Sequence, residues 1–172
     1  MKNKPYVLGC LALIICLIAI ETASAQVKKT IVLVRHVEKD DSPTADKVDP
    51  EISDLGRQRA QRLVQVLKKY KPREIYSTNF KRTRHTAEPI AASRKIDIQT
   101  YDAGKQNDLV AKIMASRNEN ILVIGHSNST PILANLLIKK EVFKQVPDTE
   151  FGVIWVIEIK NGAAAKVEVL SY

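Results

Sequence analysis

From residue 26 onward the chain alternates short apolar runs with stretches in which apolar positions recur every three or four residues. Residues 30–34 form a β-branched run that reads as a buried strand, and 74–77 and 121–124 read the same way. Residues 96–101 alternate like a strand. Between these lie helical patterns. Ser53 can cap a helix to about Lys69 with Leu63, Val64 and Leu67 on its inner face. Residues 81–93 form a second helix, which Pro89 either kinks or divides. Asn107 can cap a third to about Arg117, and Pro131 suits the first turn of a fourth that runs to Lys140. Residues 35–52 are polar, carry Pro43 and Pro50, and read as a long loop. The end of the chain differs: segments 151–159 and 164–170 flank Asn161-Gly162, a hairpin signal. This order predicts one α/β domain, a three-layer α/β/α sandwich with a mostly parallel central sheet and a C-terminal β-hairpin.

The first 25 residues follow another pattern. Lys2 and Lys4 precede an apolar run over 7–20, and Ala23-Ser24-Ala25 offers the small residues of a cleavage site. The segment reads as a secretory signal cleaved after Ala25, which leaves a domain over 26–172 and a periplasmic or secreted location. A permanent span needs about 20 apolar residues, so an uncleaved anchor is the weaker reading. A lipoprotein is weaker still, because Cys10 precedes most of the apolar run. Both cysteines, Cys10 and Cys16, leave with the signal, and thiol and zinc–cysteine chemistry leave with them. With 45% hydrophobic and 27% charged residues, the composition is that of a globular protein. The formal charge of +8 becomes +7 without Lys2, Lys4 and Glu21, which suggests an anionic partner without naming one.

The chemistry concentrates at strand ends. In a parallel sheet with right-handed crossovers, sites form at the carboxyl ends of the strands. The first strand delivers Arg35-His36, the second Ser77-Thr78 with Arg82 in the next helix, and the third long one Gly125-His126-Ser127. Two of the chain's three histidines therefore fall at the expected active edge, accompanied by arginines. Guanidinium forks match phosphate oxygens, and a neutral imidazole can attack phosphorus.

Val34-Arg35-His36 with Glu38, then Leu55-Gly56-Arg57, form the first part of a longer motif set. Tyr76-Ser77-Thr78 with Arg82 and Thr86-Ala87, then Gly125-His126-Ser127, complete it. In order and spacing the set resembles the histidine phosphatase superfamily. The likeness is to a small member of the phosphoglycerate-mutase-like clan, in the branch that includes broad-specificity phosphatases. The resemblance implies a phosphoglycerate-mutase-like fold and roles for particular residues. His36 would be the nucleophile, Arg35 and Arg82 would hold phosphate oxygens, and His126 would complete the pocket. Thr78 and Ser127 would donate to the phosphate, or else cap helices. A carboxylate acid is expected after the second helix or the following strand, and Asp102 fits that place. Val37 stands where relatives have glycine and is expected to tighten the rim. Glu38 is expected to orient the loop or pair with Lys39, and segments 38–52 and 104–109 to rim the pocket.

Other readings are less well supported. No histidine follows His126, so a serine hydrolase with the order Ser…Asp…His is excluded. The scattered histidines lack metal-ligand spacing, and no metal or cofactor is expected. The basic stretches lack interleaved aromatics, so nucleic acid is not an expected partner. His85 reads as a surface or half-buried helix residue, and Tyr76 and Trp155 as core. The expected activity is that of an exported, metal-independent phosphomonoesterase. Its substrate would be a phosphorylated small molecule or an envelope glycan, and no permanent membrane span would remain after cleavage. The alternative is a non-catalytic phosphate-binding module of the same fold.

Overall fold

A computed structural model describes residues 28–172. The signal segment 1–25 expected from sequence lies outside the described residues. At the centre of the fold, β1 (Lys28–Arg35) pairs in parallel with β4 (Asn120–Gly125) and antiparallel with β5 (Val153–Lys160). Beyond β4 lie β2 (Glu74–Ser77) and β3 (Ile98–Thr100), both parallel, and β6 (Ala163–Ser171) closes the other edge, antiparallel to β5. The order across the six-stranded sheet is β3-β2-β4-β1-β5-β6.

The continuous apolar runs are explained by burial on both faces. Val32 and Val34 of β1 pack with Leu63 and Leu67 of α1 (Asp54–Leu67) and with Ala87, Ile90 and Ala91 of α2 (Lys81–Arg94). Ile31 and Leu33 point the other way. They pack with Leu109 and Ile113 of α3 (Gln106–Ala115) and with Leu133, Ala134 and Leu137 of α4 (Ser129–Ile138). The sandwich is therefore α1 and α2, the sheet, then α3 and α4.

Several boundaries shift for physical reasons. Pro89 sits inside α2 and the helix continues through it. Burial of Ala87, Ile90 and Ala91 offsets the roughly 3 kcal/mol that an interior proline costs. β3 is shorter than its alternating pattern because it pairs only with β2, over three residues. Tyr101 then leaves the strand, its N–H on the Ser77 carbonyl and its ring in the core. Ser53 caps α1 as expected, accepting from the Gly56 N–H, whereas α3 begins at Gln106 without a side-chain cap from Asn107. The hairpin turn is Asn161-Gly162, with φ of 51° and 79°.

Register sets the site. Arg35 of β1 lies opposite Gly125 of β4, and Ser77 of β2 opposite Ile124. The His36 N–H donates to the Gly125 carbonyl at 2.9 Å, which extends the parallel ladder one step past the strand ends. The loops bearing His36, Thr78 and His126 thus leave the sheet side by side.

Candidate active site

His36 and His126 face each other with ring centroids 5.4 Å apart at an interplanar angle of 69°. They line a cavity of about 720 Å³ together with Arg35, Arg82, Ser127 and the first residue of α4, Ser129. Of the site residues expected from sequence, His36, His126, Arg35, Arg82 and Ser127 are brought to this point, whereas Thr78 is buried behind His126 and Asp102 lies elsewhere.

The His36 ring is oriented by its own chain. Nδ1 lies 2.7 Å from the Val37 carbonyl, which can only accept, so Nδ1 carries the proton and Nε2 keeps its lone pair. Burial, and then His126, Arg35 and Arg82, push the His36 pKa down to about 3. Burial, Arg82 and Arg35 push His126 down to about 4. Both rings are therefore neutral at neutral pH. The His126 Nε2 lies 2.9 Å from the Thr78 hydroxyl, which lies 2.9 Å from the Thr83 hydroxyl. Thr83 donates to the carbonyls of Phe80 and Thr78, so the hydroxyl chain runs toward it and Thr78 accepts from His126 Nε2–H. Thr78 thus sets a tautomer. The main chain on either side is also held: the Val37 N–H donates to Thr86 Oγ1, and the His126 N–H donates to Ser129 Oγ.

The two arginines differ. Arg82 stacks on Phe80, its Cζ lying 4.4 Å from the ring centroid, with Asp49 at 3.7 Å. Arg35 is buried, and its terminal nitrogens donate to the carbonyls of Pro147, Asp148 and Glu150, while the guanidinium covers Phe151 at 4.2 Å. Its Nε is buried without a partner. Arg35 therefore fastens the segment before β5 over the site and keeps one donor unused. That segment contributes Gln145, Asp148 and Phe151 to the cavity wall. Sequence reasoning missed all three, and also Phe80, because their place depends on where a long connection returns.

Asp102 lies outside this cavity. It is exposed, accepts from the Gly104 N–H at 2.8 Å, and lines a neighbouring cavity of about 590 Å³ with Lys105 and Lys112. The carboxylate on the wall of the histidine cavity is Asp148, whose Oδ1 accepts from Ser127 Oγ at 3.1 Å and lies 3.5 Å from Arg35.

Two expectations about the first loop are corrected. Val37 is fully buried and packs with Ile52 and Ala60 beneath the loop, not at the rim. Glu38 pairs with Arg59 of α1 at 2.6 Å, not with Lys39. His85 is half-buried as expected and meets Glu51 at 2.7 Å. Lys39, Lys47, Val48 and Pro50 from the first long loop do rim the cavity, with Ala103 and Gly104 opposite.

Fold and site together define an α/β protein with two facing histidines and two arginines at the carboxyl edge of a mostly parallel sheet. Residues 31–105 match the model of the histidine phosphatase superfamily, branch 1. No curated protein matches by sequence. Among solved structures, the chain is similar to the alpha-ribazole phosphatase of Shigella flexneri, with a TM-score of 0.66 and 14% identity over 84% of this chain and 96% of that one. It is also similar to a mycobacterial glucosyl-3-phosphoglycerate phosphatase, with a TM-score of 0.63 and 14% identity over 84% of this chain and 98% of that one. At such identities the likeness establishes the fold.

Proposed function

We propose that the protein is an exported phosphomonoesterase that works through a phosphohistidine on His36. The observation that carries this reading is the free Nε2 lone pair of a buried, neutral His36, facing a cavity that also presents His126 and Arg82. The family match and the phosphatases that share the fold support it.

Substrate phosphate binds between Arg82, His126, the unused Arg35 Nε–H and the N-terminal end of α4, where backbone N–H groups and the helix dipole favour an anion. Nε2 attacks phosphorus in line, the N–P bond forms, and the bond from phosphorus to the leaving oxygen breaks. The Nδ1–H bond to the Val37 carbonyl stabilises the positive ring. Asp148, the carboxyl on the cavity wall, gives the leaving oxygen its proton in this reading. Water then attacks phosphorus and returns a proton to Asp148, and the N–P electron pair returns to Nε2.

Arg82 and Arg35 supply the positive charge that meets the phosphoryl oxygens, so the reading is metal-independent. Phosphate release from p-nitrophenyl phosphate is expected to proceed unchanged in EDTA. Loss of activity in EDTA with recovery on adding a divalent cation would contradict it. Residues 1–25 act in this proposal as a cleavable export signal, and the substrate is a phosphorylated small molecule or envelope component. A non-catalytic phosphate binder would bind phosphate and release none from any ester.

A further inference from the structure

The outer face of α4 is apolar where a solvated helix should be polar. Leu133, Ala134 and Leu137 already fill its inward face. Ile132 and Leu136, one turn apart, point away from that core, and Ile132 is 51% exposed. Val142, in the loop after the helix, continues the stripe at 60% exposure. Ile132, Leu136, Val142 and Phe143 line a groove of about 650 Å³ edged by Lys139, Lys140 and Lys144.

This groove is continuous with the candidate active site. Ile132 lines both cavities, and α4 begins at the histidine loop. The histidine cavity carries apolar side chains as well: exposed Val48 and Phe80, with Pro50 and Phe151, stand among its polar groups. Singly exposed apolar side chains are ordinary, but a contiguous track leading out of a ligand cavity is not.

We propose that the substrate is a phosphate monoester of a long aliphatic alcohol. Its phosphate sits at His36, and its chain leaves past Ile132 along the outer face of α4. This rests on the phosphatase reading and adds the leaving group to it.

The test is kcat/KM for ethyl, butyl, octyl and decyl phosphate, each below its micelle concentration and followed by phosphate release. The expected result is a rise of at least about tenfold from ethyl to octyl, because each buried methylene adds to binding. In the Leu136→Gln/Val142→Ser double variant the octyl-to-ethyl ratio should collapse toward one. A flat series in the unaltered protein overturns the proposal. A flat series with lower thermal stability in the double variant would assign the face to another segment of the chain. A flat series with chain-independent adsorption to anionic lipid vesicles would assign it to membrane docking. Should no ester turn over, the phosphatase reading itself fails, and calorimetry with n-alkyl phosphonates still decides. Affinity that rises with chain length supports the groove assignment, and constant affinity rejects it.

Discussion

His36 is made nucleophilic by its surroundings more than by its type. The Val37 carbonyl fixes the proton on Nδ1, and burial with His126, Arg35 and Arg82 keeps the ring neutral. The positions of His36, Arg35, Arg82 and His126 were legible because each stands within a few residues of a strand end that the apolar runs mark. The carboxylate was not legible. Asp102 follows a strand in the expected way, but it turns to the N–H of Gly104, whereas Asp148 reaches the cavity from a loop more than a hundred residues away from His36. Asp148→Asn should therefore slow alkyl phosphates by about 10²-fold, the range of general acid catalysis, and p-nitrophenyl phosphate much less, since that leaving group needs no proton. A Brønsted series of leaving groups measures this. Equal losses across the series would remove Asp148 from the proton-donor role.

At the scale of elements, the helix that follows the first loop holds the nucleophile in place. Gly56, in the first turn of α1, lets that helix approach the loop: a Cβ there would lie 2.2 Å from the Glu38 carbonyl oxygen and 3.1 Å from a Val37 methyl. The Glu38–Arg59 pair fastens the same contact, and Arg59 also donates to the Tyr172 carbonyl. The motif containing Gly56 was visible in the sequence, but its reason is steric and appears only when helix and loop are seen together. Gly56→Ala is expected to cost about 1–3 kcal/mol, the range for overpacking a filled site, and to lower Tm accordingly. Thermal unfolding checks this, and an unchanged Tm would show that the loop yields without strain. Element order and the hairpin were legible from pattern alone. Strand ends and the path of segment 141–152 were not, because pairing partners and the Arg35 carbonyl bonds decide them.

For the whole molecule, the two site histidines link folding to pH. Their folded pKa values, about 3 and about 4, lie below the 6.5 of an exposed histidine. Between those limits the unfolded chain binds more protons than the folded one, so stability is fully present above about pH 6.5 and falls as pH drops toward 4 and 3. Tm measured from pH 7 to pH 4 should decline, and a His36→Asn/His126→Asn variant should show a flatter profile. An equally steep decline in that variant would place the acid sensitivity in other groups. The sandwich was legible as a whole, since its continuous apolar runs demand two covered faces. The apolar outer face of α4 was not, because inward and outward positions of an all-apolar helix separate only once its neighbours are placed.

Phosphohistidine formation tests the account most directly. The protein is mixed briefly with a phosphate monoester, quenched in base, digested, and the peptides mapped by mass. The account predicts an acid-labile, base-stable phosphate on His36, absent in His36→Ala, with phosphate release in that variant reduced by at least about 10³-fold. Full turnover in His36→Ala, or rapid turnover with no label on His36, would contradict it.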